Sequence, residues 1–248
     1  MSAATAAAAV LPASDIEGRV SALAWSALAA NLDARGYAHV QDLLSGDECR
    51  GLAELYDDER HFRKRVVMAR HAFGRGEYKY FAYPLPQLVA SLRSALYTRL
   101  APLANRWSEQ LRSSVRFPDR HSEFLARCHA AGQTQPTPLL LHYDADDYNC
   151  LHQDLYGEHV FPLQATLLLS QPSKDFSGGE FLLTEQRPRM QSRAEVVPLA
   201  RGDAVIFAVR YRPVPGARST YRVNIRHGVS RVVSGRRRAL GIILHDAA

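Results

Sequence analysis

Three side chains from two distant parts of the chain have the types and spacing of a metal site. The tripeptide His152-Gln153-Asp154 places a histidine and an aspartate two residues apart, and His227 lies far downstream. Side chains alternate between faces in an extended strand, so His152 and Asp154 would point the same way. His227 would then complete a face of two histidines and one carboxylate. Such a face leaves open coordination positions and is typical of non-haem Fe(II) oxygenases.

The residues before His227 indicate that this histidine faces inward. In residues 221–227 the odd-numbered positions before His227 are apolar or aromatic and the even-numbered ones are polar, which is the pattern of a half-buried strand. A buried imidazole needs a partner, because a polar group without one is costly to bury. A metal ion is one partner and a buried hydrogen bond is the alternative. A His-x-Asp pair alone is weak support, so the prediction depends on the surrounding motifs.

The segments between the predicted ligands read as antiparallel β-structure. Residues 161–170 form an apolar run typical of a buried strand. The paired glycines in 177–180 predict a tight turn, and residues 181–183 resume a strand, so we interpret 161–183 as a hairpin near the metal face. Residues 196–207 hold two β-rich segments around a Gly-Asp turn, which we also read as antiparallel strands.

Four separated motifs occur in one order along the chain: His152-x-Asp154, Ala165-Thr166-Leu167 with Gly178-Gly179-Glu180, Gly202-Asp203, and His227-x-Val229-Ser230 followed by Arg237. From about residue 140 onward this order resembles the Fe(II)/2-oxoglutarate-dependent dioxygenases, in particular their prolyl-hydroxylase-like branch. Residues 151–154 with Tyr143 upstream are also similar to AlkB-type nucleic-acid repair dioxygenases. Residues 36–86 resemble the N-terminal region of a bacterial family that has been assigned, mainly by inference, to oxidation of nucleic-acid bases.

The resemblance implies an oxygenase that uses Fe(II), with 2-oxoglutarate and O2 as cosubstrates. Its products would be succinate, CO2 and a hydroxylated C–H bond. His152, Asp154 and His227 would hold the iron. In AlkB-type enzymes a tyrosine at the offset of Tyr143 hydrogen-bonds the cosubstrate, although Leu141 stands where those enzymes usually carry an asparagine. An ordinary strand tyrosine is the alternative for Tyr143.

The family also places a cation for the distal carboxylate of 2-oxoglutarate about ten residues after the distal histidine. Arg236, Arg237 and Arg238 all lie near that position, and an arginine suits a carboxylate because its planar fork binds both oxygens. Strand parity favours Arg237, which would share a face with the small residues Ala239 and Gly241. Arg238 is the second candidate.

The expected fold class is α+β with a mainly β core, namely a double-stranded β-helix (jelly roll) braced by N-terminal helices. We expect residues 1–15 to be a disordered tail and residues 16–248 to form one domain, with helical support over 16–135 and the jelly-roll core over 136–248. Predicted helices cover residues 20–34, 45–55 and 87–112, a first strand covers 36–40, and 128–138 reads as a loop.

The composition indicates the type of cellular compartment. The chain has 248 residues, a net charge of +6 and three cysteines without a CxxC motif, which favours a reducing, cytoplasmic compartment. The alanine-rich first residues lack the basic start of a signal peptide, and their apolar stretch is too short for a membrane span. We therefore expect no membrane association.

Two basic regions make nucleic acid a candidate partner. Ten arginines and one acid lie between residues 201 and 238, and the 60–79 run mixes basic with aromatic residues. Such mixtures bind phosphates and stack on bases, although an arginine-rich composition alone explains them equally well. The leading hypothesis is oxidative demethylation of a nucleic-acid base. The alternatives are hydroxylation of a prolyl residue, another protein side chain or a small metabolite, a non-catalytic nucleic-acid-binding module, and a zinc hydrolase. The 57–83 segment is a candidate lid.

Overall fold

The computed structural model describes residues 15–216 and 219–248. The predicted tail therefore lies outside the described residues, except for Asp15, whose side chain accepts a hydrogen bond from the Gly18 amide at 3.0 Å and caps the first helix. The helices are α1 (Ile16–Ala22), α2 (Trp25–Arg35), α3 (Gly46–Glu54), α4 (Gln87–Gln110) and α5 (His121–Ala130). None of the helices in these two ranges has the length and hydrophobicity that a membrane span requires.

The helix predictions are confirmed for α3 and α4 and need two corrections. Ser45 and Glu48 form the expected capping box at the start of α3. The single helix predicted over 20–34 is two helices, because the chain turns after Ala22 and the Trp25 indole donates to the Val20 carbonyl at the end of α1. The loop predicted from residue 128 begins later, since Cys128 is a buried residue of α5.

Most of the remaining chain is β-structure. The strands are β1 (Tyr37–Val40), β2 (Phe62–Val67), β3 (Gly74–Arg75), β4 (Glu77–Phe81), β5 (Leu139–Tyr143), β6 (Tyr148–His152), β7 (Leu163–Leu168), β8 (Phe176–Gly178), β9 (Phe181–Gln186), β10 (Arg193–Val197), β11 (Ala204–Ala208), β12 (Tyr211–Pro215), β13 (Thr220–Val229), β14 (Val232–Gly235) and β15 (Arg237–Ile243).

Two main antiparallel sheets are formed within the described residues. The larger has the order β1-β11-β7-β15-β5-β4-β2, and the smaller has the order β10-β9-β13-β6-β3, with β12 also paired to β13. The short strands β8 and β14 pair with each other. Two facing sheets with helices packed against them match the predicted jelly roll braced by helices.

The hairpin predicted over 161–183 is wrong, and the reason lies in this topology. β7 belongs to the larger sheet and β9 to the smaller, so residues 161–183 cross between sheets instead of folding back as one hairpin. β10 and β11 are divided between the sheets in the same way. Paired glycines identify a turn but carry no information on which sheet the next strand joins. In the structure Gly178 ends β8, which pairs with β14.

The 57–83 segment carries three strands that pair into the two sheets, and it is not a free lid. β2 and β4 pair with each other and extend the larger sheet through β5, and β3 pairs with β6. Gly74 and Gly76 allow this close packing: their φ angles are +126° and +106°, and a Cβ on Gly74 would lie 2.4 Å from the Tyr148 carbonyl oxygen. The turn between β2 and β4 is therefore held against the strand that carries His152.

Candidate active site

The structure brings His152, Asp154 and His227 together. His152 ends β6 and pairs directly with His227 on β13, so that the two imidazole rings lie 4.2 Å apart. Asp154 lies just beyond β6, with one oxygen 3.6 Å from His152 Nε2 and the other 3.3 Å from His227 Nε2. One donor atom from each residue lies within 4.8 Å of the others, which suits a single metal ion.

Neighbouring groups orient His152 and Asp154. The Nδ1 atom of His152 lies 2.7 Å from the Cys150 carbonyl oxygen, which assigns the proton to Nδ1 and leaves Nε2 free to bind a metal. The Asp154 carboxylate accepts one hydrogen bond from the Tyr156 hydroxyl and one from the Gln164 amide, both at 2.7 Å. Both carboxylate oxygens are thereby oriented towards the histidines.

The electrostatics of the cluster favour the forms that bind a metal. Burial raises the pKa of Asp154, but its contacts with His227, His152 and Gln164 outweigh burial and hold the pKa well below its usual range. Burial and the neighbouring His152 lower the pKa of His227. At neutral pH the site therefore presents a carboxylate and a neutral buried imidazole.

A cavity of about 200 Å³ opens beside the three donors, between the two sheets. It is lined by the predicted metal ligands, and also by Tyr143 of β5 and Arg237 of β15. These last two residues are register partners in the larger sheet. The cavity therefore joins the candidate metal site to the candidate site for the cosubstrate carboxylate.

Arg237 makes no ion pair within the described residues, although Glu180 is near enough for its charge to oppose the lowering of the Arg237 pKa by burial. Its side chain is buried, with 1% of the residue exposed, and its Nε atom has no hydrogen-bond partner. The guanidinium lies 5.5 Å from the centre of the Tyr143 ring. Gly179 leaves room for it, because a Cβ there would lie 2.9 Å from Arg237 Cδ. A buried charge without a partner is costly, and a carboxylate entering the cavity would relieve that cost.

The two neighbouring arginines lie elsewhere. Arg236 is exposed and pairs with Asp144 at 3.1 Å. Arg238 turns to the opposite face of β15, where it donates to the Ala53 carbonyl and packs 5.2 Å from the centre of the Tyr56 ring. Of the three candidates, only Arg237 lines the cavity, as strand parity predicts.

Tyr143 is buried, and its hydroxyl accepts a hydrogen bond from the Asn149 side chain at 3.4 Å. Burial raises the pKa of Tyr143 to about 12, although the nearby Arg237 charge lowers it. The hydroxyl therefore stays protonated at neutral pH and can act as a donor towards the cavity.

Sequence reasoning missed three residues of the site: Tyr156, Gln164 and Asn149. Gln164 had a detectable signal, since it is the polar residue inside the apolar run that becomes β7. Tyr156 and Asn149 had none, because Tyr156 lies in the irregular segment after β6 and the contact of Asn149 depends on how β6 packs beside β5.

The residues present fit an iron ion with 2-oxoglutarate. The donor set is two imidazoles and a carboxylate with positions left open towards the cavity. The unpartnered guanidinium of Arg237 lies in the wall of the same cavity and offers a bidentate partner to a carboxylate.

Comparison with known proteins identifies the family. Residues 76–247 match the model of a family described as an oxygenase "catalysing oxidative methylation of damaged DNA". The chain belongs to this family. It is thus an oxygenase of the Fe(II)/2-oxoglutarate-dependent class, and the predicted enzyme class is confirmed. A relative from two strains of Mycobacterium tuberculosis, described as an uncharacterized protein, is 49% identical over 168 residues. The match covers 68% of this chain and 72% of the relative.

Solved structures show the same fold at low sequence identity. A prolyl hydroxylase from Trichoplax adhaerens, in complex with a hypoxia inducible factor peptide, is 12% identical with a TM-score of 0.52, covering 92% of this chain and 90% of that one. The non-haem alpha ketoglutarate dependent epimerase SnoN from nogalamycin biosynthesis is 18% identical with a TM-score of 0.53, covering 88% and 81%. These likenesses confirm the double-stranded β-helix.

Proposed function

We propose that this oxygenase hydroxylates a C–H bond of a nucleic-acid base. His152, Asp154 and His227 hold Fe(II), and Arg237 binds the distal carboxylate of 2-oxoglutarate. The observation that carries the cosubstrate assignment is the buried, unpartnered guanidinium of Arg237 in the cavity that reaches the three donors.

Each residue has a distinct task in this proposal. Bound iron supplies the oxidative chemistry with O2 and 2-oxoglutarate, which yields succinate and CO2. Arg237 fixes the cosubstrate by its far end, and the Tyr143 hydroxyl donates a hydrogen bond from the same wall. Gln164 and Tyr156 keep the Asp154 carboxylate turned towards the histidines. When 2-oxoglutarate and the base fill the cavity, its apolar and aromatic walls exclude water from the reacting atoms.

The cavity entrance supports a base as the substrate. Phe73 lines the cavity although 48% of this residue is exposed, and its ring stacks on His71 at 5.3 Å. The tightly packed turn around Gly74 holds this pair in place. A rigid, exposed aromatic ring beside a cavity is suited to stack on a base that has left its helix. The likeness to a prolyl hydroxylase shows the fold and carries no substrate over.

The basic run at 60–79 supports the proposal less than its composition indicates. Arg65 pairs with Glu77, and the buried Lys79 pairs with Glu59 at 2.7 Å. Arg70 is exposed and makes no ion pair within the described residues. Arg70 therefore offers phosphates one local charge near Phe73, and not a continuous basic surface.

Turnover of 2-oxoglutarate tests the proposal. Succinate would be measured with Fe(II), O2 and a panel of alkylated single-stranded oligonucleotides, with a prolyl peptide as the competing substrate class. We expect stimulation by an alkylated oligonucleotide, its loss in Asp154→Ala, and its retention in Asp144→Ala, which changes an exposed aspartate outside the cavity. Stimulation by the peptide alone would refute the substrate assignment, and full activity of Asp154→Ala would refute the metal site.

A further inference from the structure

A second cavity lies next to the catalytic one and shares a loop with it. Its volume is about 460 Å³, and its wall includes Leu155, which directly follows the metal ligand Asp154. Asp154 and Tyr156 line the first cavity, whereas Leu155 and Gly157 line the second. The two cavities therefore lie on opposite sides of one short stretch of chain.

Two arginines on the wall of this second cavity have no carboxylate partner within the described residues. Arg210 and Arg222 hold their guanidinium carbons 4.6 and 5.7 Å from the centre of the Tyr211 ring. Many other arginines in the described parts of the chain are ion-paired, as in the contact of Arg212 with Glu185 at 2.5 Å. Arg210 and Arg222 are both exposed and free to bind an anion.

The rest of the wall is largely apolar. Leu155 and Val115 line it and are 40% and 50% exposed, so their apolar surface is open to a ligand. Glu158 is the acid among the lining residues. A ligand that fits this wall must therefore combine a negative charge with a broad apolar surface.

We propose that the second cavity binds the nucleotide next to the one whose base enters the catalytic cavity. Arg210 and Arg222 contact its phosphates, and the wall around Leu155 contacts its base. A nucleotide combines an anionic phosphate with a flat, weakly polar base, whereas an acidic peptide supplies carboxylates without that surface. This inference rests on the proposed function and assigns the direction in which the strand leaves the active site.

The test compares Arg210→Ala/Arg222→Ala with wild type in the full chain. Binding of a methylated single-stranded oligonucleotide would be measured by fluorescence anisotropy between 50 and 200 mM salt. The salt slope is the change in the logarithm of the affinity per unit change in the logarithm of the salt concentration. Each lost phosphate contact lowers the size of this slope by about 0.7, so the loss of two contacts lowers it by about 1.4. Over this fourfold change in salt, the wild-type affinity should change about 7-fold more than that of the variant.

Controls separate this inference from the proposed function. Arg189→Ala/Arg193→Ala removes the same charge outside the cavity and should keep at least most of the wild-type slope. Turnover of 2-oxoglutarate with a free methylated nucleoside should be the same in both double variants and wild type. If Arg210→Ala/Arg222→Ala has the wild-type salt dependence of oligonucleotide binding, the inference is overturned while the proposed function stands. The same conclusion follows if this variant loses binding to a polyglutamate peptide to an equal extent. Absence of oligonucleotide binding in wild type overturns both.

Discussion

Replacing Arg237 with methionine should have opposite effects on stability and on cosubstrate binding. The guanidinium is buried and makes no ion pair in the described residues, and the long apolar methionine side chain fills similar space without a charge. We therefore expect Arg237→Met to stabilise the ligand-free protein and to remove 2-oxoglutarate binding.

The magnitudes follow from the surroundings of Arg237. Replacing buried charges with apolar side chains of similar volume stabilises proteins by up to about 4 kcal/mol. The adjoining cavity admits water, and the ring of Tyr143 already faces the charge, so the low end, about 1 kcal/mol, applies. For a domain of this size that is a rise in Tm of about 2–4 °C. Losing the partner of a buried carboxylate costs about 2–5 kcal/mol, or about 30- to 4,000-fold in Kd.

The assay is thermal unfolding with and without 2-oxoglutarate, together with anaerobic calorimetric titration in the presence of Fe(II). Arg236→Met is the matched control, because Arg236 is exposed and pairs with Asp144; it should change neither quantity appreciably. Wild-type affinity for 2-oxoglutarate in Arg237→Met would refute the reasoning. A large fall in the Tm of the ligand-free variant would show that the buried charge has a stabilising partner.

Three further predictions concern other parts of the molecule. Gln164→Leu removes a hydrogen bond to the Asp154 carboxylate and should weaken Fe(II) binding about 10- to 100-fold in equilibrium dialysis. Burial lowers the pKa of His121 from 6.5 to about 3. The unfolded chain therefore binds a proton at this histidine below pH 6.5, whereas the folded chain does not. Urea titrations should show that His121 lowers the free energy of unfolding by about 2 kcal/mol between pH 7 and pH 5. Phe73→Ala should weaken binding of an alkylated oligonucleotide by about 1–3 kcal/mol in anisotropy measurements, while Phe73→Tyr retains it.

Each of these predictions has an outcome that contradicts it. Unchanged iron affinity in Gln164→Leu would mean that Tyr156 alone orients the carboxylate. If His121→Gln loses as much stability between pH 7 and pH 5 as wild type, other groups take up the proton. His245 is a second candidate, because burial lowers its pKa to about 4. Equal oligonucleotide affinity in Phe73→Ala and wild type would remove the stacking role.

The sequence was sufficient to predict the residues that strand parity governs. His227 faces inward because residues 221–227 alternate, and the same parity places Arg237, not Arg238, in the cavity wall. The order of motifs predicted the jelly roll, since their spacing is similar to that of enzymes with this fold. Such periodic features are local, and a single sequence records them.

Contacts that depend on the path of the chain between sheets were not predictable in this way. The glycine pair at 178–179 reads as a hairpin turn, but the structure uses it to pass from one sheet to the other and to make room for Arg237. Tyr156 donates to Asp154 from the irregular segment after β6, which has no strand pattern that the sequence could reveal. The basic run at 60–79 reads as a nucleic-acid surface, yet several of its charges are paired with acids that only folding brings near.

Anaerobic equilibrium dialysis of Fe(II) tests the central claim most directly. The account predicts one tightly bound iron per chain in wild type, and loss of that site in Asp154→Ala but not in Asp144→Ala. Equal iron binding by wild type and Asp154→Ala would contradict it, because the ion would then be held by residues other than His152, Asp154 and His227.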